Sequence, residues 1–153
     1  GAAYSPALTD FVFMVRDTSQ MFITGPDVVR AVTGEEISQN GLGGADVHAE
    51  TSGVCHFAYD DEATCLAEVR YLLGLLPQNN QQAPCALPCT DPAGRRSEIL
   101  LDLVPADGSR PYDMARVITE LVDDGEVLEV HERWARNIIC ALARLDGQVV
   151  GIV

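Results

Sequence analysis

The chain has 153 residues, 47% hydrophobic and 22% charged, with a mean hydropathy of +0.07. This is a globular composition at the size of one domain or of parts of two, and three domains are excluded. Ten basic residues against 23 acidic ones give a net charge of −13 and a pI near 4.3, which argues against a sequence-independent grip on nucleic acid and disfavours an anionic membrane. All ten basic residues are arginine, so no lysine is available for a Schiff base, a P-loop or a Ser-x-x-Lys site.

In chain order, Phe11 to Val15 and Met21 to Ile23 are short apolar runs, the first ending at Arg16-Asp17 and the second at Gly25-Pro26. Both read as buried strands of an α/β sheet. Pro26 opens a short helix carrying Val28, Val29 and Val32 and stopped by Gly34, and a glycine-rich turn follows at Gly41-Leu42-Gly43-Gly44. Val54 to Tyr59 predicts a strand. Asp60-Asp61-Glu62 then opens a helix to Leu76, ended by Pro77, with Leu66, Val69, Leu73 and Leu76 along one face. From Gln78 to Pro92 the chain loses its periodicity and carries Pro84, Pro88 and Pro92, which reads as a connection. A second structured part begins near Pro111 with an amphipathic helix through Met114, Val117, Ile118, Leu121 and Val122, ended by Gly125. After the loop at His131, Ile138 to Leu145 and Gln148 to Val153 flank Asp146-Gly147 as a hairpin.

No apolar run approaches the roughly 20 residues that span a bilayer, and the first residues show no secretory signal pattern. The expectation is a soluble, cytoplasmic protein without a membrane or nucleic-acid partner. The five cysteines (Cys55, Cys65, Cys85, Cys89 and Cys140) are odd in number and unevenly spaced, which points to reduced thiols. The chain opens on Gly1 and closes on the apolar run Val149 to Val153, so both ends are expected to be cuts in a longer protein.

Familiar site motifs fail on their spacing. After Gly41-Leu42-Gly43 the third glycine of a dinucleotide fingerprint falls on Asp46, and the residue four after His131 is Ala135 rather than the second imidazole of a zinc-protease helix. Cys85 and Cys89 have no second pair at ribbon spacing, and no metal site is expected. Cys55 and His56, as strand neighbours, point to opposite faces, which leaves Cys55 as a small core residue. Asp60-Asp61-Glu62 reads as a helix cap and Trp134, between Arg133 and Arg136, as a packing or interface anchor. No side-chain constellation announces an acid, a base, a nucleophile or a metal.

The order Phe22-Ile23-Thr24-Gly25-Pro26, Thr33-Gly34-Glu35-Glu36-Ile37-Ser38 and Thr51-Ser52-Gly53-Val54 before a strand and an acid-capped helix resembles the crotonase superfamily. More narrowly, GAAYSPALTD, MVRDTSQMFITGPDVV, TGEEISQNGLGGADVHAETSGVCHF and DDGEVLEVHERWARNIICALARLDGQVVGIV resemble the carboxyltransferase (β) subunit of biotin-dependent acyl-CoA carboxylases, propionyl-CoA type. The resemblance covers essentially the whole chain.

It implies an α/β, ClpP/crotonase-like spiral fold, with residues 1–77 ending a first (acyl-CoA side) domain, 78–110 a linker, and 111–153 opening a second (biotin side) domain. It also implies transfer of carboxylate from carboxybiotin to the α-carbon of propionyl-CoA or acetyl-CoA, with related decarboxylase subunits as the nearest alternative chemistry and a non-catalytic scaffold as a further one. Backbone N–H groups would hold the enolate. Gly1 matches the second glycine of the family's Gly-Gly pair and, with Ala2 at the following helix start, is implied to bind the acyl-CoA oxyanion. The implied partners are an acyl-CoA, a biotin carboxylase or biotin carrier subunit bearing the biotin, and further copies of the chain. His48 matches a family histidine and is expected to be a buried, hydrogen-bonded imidazole.

Overall fold

The computed structural model describes residues 3–92 and 94–153. The chain forms two compact units, Gly1–Tyr71 with Val130–Asn137, and Leu72–Glu129 with Ile138–Val153.

In the first unit, helix α1 (Tyr4–Ala7) leads to strand β1 (Phe13–Val15), which pairs in parallel with β2 (Phe57–Tyr59) in the register Phe13 to Phe57, Met14 to Ala58 and Val15 to Tyr59. Parallel neighbours need a crossover. Here it is made of helices α2 (Pro26–Thr33), α3 (Gln39–Gly43) and α4 (Ala45–Val47) and a π-helical turn at His48–Ser52. Pro26 presets the first turn of α2, and Gly34, at φ +75°, ends it by donating its N–H to the Arg30 carbonyl. Val12, Met14, Ala45, Ala49 and Cys55 form the buried core, with Met21 and Ala58 packed against it. The Phe13 ring stacks on Phe57 at 4.5 Å between centroids, so the sheet is held by an aromatic pair as well as by its ladder.

Two expectations fail in this unit. Met21 to Ile23 is not a strand: the Met21 N–H donates to the Gly43 carbonyl at 2.8 Å and its carbonyl accepts from His48, so a loop and a side chain take the groups that a ladder would use. Gly41 to Gly44 is not an open turn either. The Ser38 side chain caps α3 by accepting from the Gly41 N–H, and the glycines serve close approach, since a Cβ on Gly43 would meet the Met21 carbonyl oxygen at 2.0 Å.

Helix α5 (Glu62–Leu75) begins as expected, with Asp61 accepting from both the N–H and the hydroxyl of Thr64. Its buried face is different: Cys65, Leu72 and Leu75 are buried, whereas Leu66 and Leu73 are exposed. Apolar residues occur all round this helix, so periodicity alone does not select the face that finds a partner.

In the second unit a short helix α6 (Ile99–Leu103) lies within 78–110, and α7 (Met114–Leu121) is capped by the Asp113 carboxylate accepting from the Ala115 N–H. Helix α7 ends at Leu121, ahead of Gly125, because Val122 turns to extended backbone and a 3₁₀ turn at Asp123–Gly125 follows. Strand β3 (Val127–Val130), to which the sequence reading assigned no element, precedes β4 (Cys140–Leu145) and β5 (Gln148–Ile152) in a three-stranded sheet ordered β3-β4-β5. The β4–β5 hairpin is as expected: Asp146 and Gly147 have φ of +51° and +72°, the signature of a type I′ turn between Leu145 and Gln148. Ile118, Val122 and Ala143 form its buried core.

Candidate functional site

Gly1 and Ala2, the residues implied to bind the acyl-CoA oxyanion, lie outside the described residues. The chain that follows them is tied down at once. The Thr9 hydroxyl donates to the Pro6 carbonyl at 2.7 Å, closing α1, and the chain then runs into Phe11, Val12 and β1.

Val12 is the anchor of this run. Its N–H donates to His56 Nδ1 at 3.0 Å, and its carbonyl accepts from the N–H groups of His56 and Phe57. A ring nitrogen that accepts is unprotonated, so His56 is neutral in this geometry, with its remaining proton on Nε2. Burial, and then the neighbouring His131, push its pKa below the ordinary 6.5. His131 stacks on the His56 ring at 4.3 Å between centroids, donates its own N–H to the His56 carbonyl, and donates Nε2–H to the Gly53 carbonyl at 2.8 Å. Trp134 completes the cluster, its ring 5.3 Å from that of His131 and packed against Gly53. Trp134 is thus a packing anchor that remains 40% exposed.

A second group surrounds Asp46, at the start of α4. Arg16, after β1, donates to Asp46 at 2.9 Å and also pairs with Asp60, and Arg133 bridges Asp46 and Glu50. Arg133 first, then Arg16, hold the Asp46 carboxyl below its ordinary range. Asp60 therefore serves this network, while Asp61 alone caps α5.

His48 is half-buried and hydrogen-bonded at both nitrogens. Nε2–H donates to the Met21 carbonyl at 2.6 Å, which leaves Nδ1 to accept from the Ser52 hydroxyl at 2.8 Å. That is the structural imidazole expected of it, though less buried. Cys55 is 1% exposed, with its thiol pushed up to about 11 chiefly by burial. It packs in the core while its neighbour His56 stacks on His131; both lie ahead of β2, which begins only at Phe57 rather than at Val54, so it is the irregular backbone there and not strand alternation that separates them. Cys85 and Cys89 donate to nearby backbone carbonyls, of Ala86 and Asp91. Among the described residues no three His, Cys, Asp or Glu side chains converge as metal ligands.

A bound biotin requires converging N–H donors for its ureido oxygen and an apolar wall for its ring. The cleft of about 590 Å³ beside Asp46 is lined by Arg16, Glu50, Glu132, Arg133 and Arg136, a charged lining that does not fit a neutral bicyclic ring. That cleft is not a biotin site. The Asp46 network and the His56–His131 cluster are instead groups in which side-chain charges and imidazoles bind one another and the backbone. Sequence reasoning missed the cluster because His56, His131 and Gly53 carry no shared motif and meet only through the fold.

The chain matches the carboxyl transferase domain family over residues 1–153. It is 52% identical over all 153 residues to the methylmalonyl-CoA decarboxylase subunit alpha of Veillonella parvula, and 51% identical over the same span to the propionyl-CoA carboxylase carboxyltransferase subunit of Haloferax mediterranei, covering 30% of each. Among solved structures it is similar to transcarboxylase 12S, described as a hexamer assembly with hydrolysed methylmalonyl-CoA bound. The TM-score is 0.92, with 42% identity over 99% of this chain and 30% of that one. A single-chain, multi-domain long-chain acyl-CoA carboxylase shares the fold at a TM-score of 0.75 and 24% identity, covering 99% of this chain and 14% of its own. The α/β, crotonase-like class expected from the resemblance stands. The chain spans about 30% of the length of the curated relatives that it matches.

Proposed function

The chain belongs to the carboxyl transferase domain family, and from that membership we propose that it is part of the carboxyltransferase subunit of a biotin-dependent acyl-CoA carboxylase. The subunit transfers carboxylate from carboxybiotin to the α-carbon of propionyl-CoA or acetyl-CoA. The observation that carries this reading is the likeness to transcarboxylase 12S, 42% identical at a TM-score of 0.92 over 99% of the chain.

Carboxybiotin, borne by a carrier subunit or domain, would supply the carboxyl group and the base for the α-proton. The part of this chain is to hold the thioester. By the family resemblance, Gly1 with Ala2 would hold the thioester oxygen through backbone N–H groups as it becomes an enolate. A glycine suits that position because the backbone can approach the ligand without a Cβ in the way. The clasp of Val12 by His56 fixes the chain that follows. In this reading 1–77 (acyl-CoA side) and 111–153 (the start of the biotin side) belong to successive domains joined by 78–110, the biotin-side oxyanion residues lie in sequence outside this segment, and the subunit is a cytoplasmic homo-oligomer.

A second reading is favoured by the 52% identity to a methylmalonyl-CoA decarboxylase subunit. There the same transfer runs in reverse: carboxylate leaves a malonyl-type thioester for biotin, and the enolate is protonated. The discriminating experiment uses the subunit with its flanking sequence in two arms, a carboxybiotin-bearing carrier with propionyl-CoA and an uncarboxylated biotin carrier with methylmalonyl-CoA, each followed by mass spectrometry of the CoA esters. Biotin-dependent methylmalonyl-CoA formation is expected. Net formation only of propionyl-CoA from methylmalonyl-CoA assigns the decarboxylase. Product without biotin rejects both, and no turnover in either direction with no CoA ester bound assigns a scaffold.

A further inference from the structure

The His56–His131 pair is not needed to bind substrate in the reading above, yet it joins three separate segments of the first unit. His56 Nδ1 accepts the Val12 N–H at 3.0 Å, and the His56 carbonyl accepts the His131 N–H at 3.2 Å. The two rings lie 4.3 Å apart at 28°, and His131 Nε2–H donates to the Gly53 carbonyl at 2.8 Å. His131 itself is held at φ +62°, in the left-handed region, with Ala135 at +51° a turn later. A non-glycine residue stays there only when its surroundings over-determine it, and here the surroundings are the stack and the two hydrogen bonds.

We propose that the His56–His131 stack is a pH-sensitive clasp, in which protonation of His56 at Nδ1 releases the Val12 amide and loosens the 130–134 segment from the lead into β2. The chemistry is specific to that nitrogen. As an acceptor it binds the Val12 N–H, whereas once protonated it presents a donor to a donor. The added charge also faces a second imidazole across the stack. The charged groups on the elements around it are Asp10 and Arg16 beside β1, Asp46 and Glu50 before Gly53, Asp60 after β2, and Glu132 and Arg133 beside His131. Arg16, Asp46, Glu50, Asp60 and Arg133 are paired with one another, and His131 is the group whose charge acts on His56.

The sign follows from linkage. Folding lowers the His56 pKa below 6.5, so the unfolded state takes up its proton first. The contribution of the clasp is whole above pH 6.5 and is lost as the pH falls from there toward the lowered value. The test is hydrogen exchange by mass spectrometry on the full subunit, corrected for the intrinsic rate, from about pH 7.5 to about pH 5. Peptides covering 11–16 and 130–134 are expected to lose protection by up to about tenfold per pH unit as the pH falls below 6.5, the loss levelling off once it has passed the lowered value. His56→Asn, which keeps an acceptor that does not titrate, is expected to abolish that pH dependence, and His131→Gln, which removes the second imidazole, to move the midpoint upward. Protection independent of pH in the wild type overturns the proposal, as does an unchanged pH dependence in His56→Asn. Should His56→Asn fail to fold, an unmoved midpoint in His131→Gln overturns it alone.

Discussion

The Trp134 ring lies against the α-carbon of Gly53, so closely that a Cβ on Gly53 would sit 2.7 Å from Trp134 Cε2, and Gly53 is held at φ +69°. Sterics and backbone conformation therefore both demand glycine there. Gly53→Ala is expected to destabilise the protein by about 2–4 kcal/mol, adding left-handed strain to overpacking. Gly74, in α5, has nothing within 4 Å of its ideal Cβ, and Gly74→Ala is expected to gain up to about 1 kcal/mol. Urea midpoints of the two variants should move in opposite directions. Recovery of part of the Gly53→Ala loss by Trp134→Ala would locate the clash on the ring.

Arg133 is the hinge of the second network, bridging Asp46 and Glu50. Its side chain and those of its partners are partly exposed, so the pairs are screened and their worth is modest. Arg133→Met is expected to cost about 1 kcal/mol at low salt and less in about 1 M NaCl. Because Asp46 is held below its ordinary 3.8, the contribution is whole above that pH and is lost as the pH falls through the lowered value. Equal losses at both salt concentrations, by denaturant titration, would assign the effect to packing of the arginine stem.

The thiols are expected to separate by environment. Cys55 is buried and its thiol is pushed up to about 11, whereas Cys85 is exposed. Since the thiolate is the nucleophile, a colourimetric disulfide reagent near neutral pH should label Cys85 first and Cys55 only on unfolding. Mapping the labelled peptides at early times checks this, and early labelling of Cys55 would contradict its place in the core.

What the sequence makes legible is what depends on neighbours in the chain. The Asp146-Gly147 turn, the Pro26 start and Gly34 stop of α2, and the Asp61 cap of α5 are each decided within a few residues and stand as read. Met21 to Ile23 fails because its peptide groups are taken by Gly43 and His48, partners that only the fold brings near. The exposed Leu66 and Leu73 show the same limit on α5, whose sides are all apolar enough to be buried. The candidate site divides likewise. The resemblance points to Gly1 through a contiguous motif, while the cluster of Val12, His56, His131 and Trp134 is assembled from segments far apart in sequence and has no local signature.

The same reasoning singles out Gly147, where a local turn meets a distant segment. Its φ of +72° belongs to the hairpin turn, but a Cβ there would also meet the Leu87 carbonyl oxygen at 1.9 Å. The Leu87 N–H donates to the Gly147 carbonyl at 3.1 Å, and Arg144 donates to the carbonyls of Cys85 and Gly147 at 2.8 and 2.9 Å. The proline-rich stretch is therefore strapped to the hairpin through backbone groups that do not depend on its own side chains. Asp123 holds the turn from the other side, its carboxylate accepting from the N–H groups of Asp146 and Gly147 at 2.9 and 2.7 Å. Gly147→Ala is expected to keep the hairpin, anchored by Asp123, at a strain of about 1–2 kcal/mol, while displacing 85–87 from it. Asp146→Asn keeps the favoured Asn-Gly turn and the strap, and serves as the control. Limited proteolysis should cut 84–89 faster in Gly147→Ala than in the wild type or the control. Equal cutting in all three would mean that Arg144 alone holds the strap, and Arg144→Met should then release it.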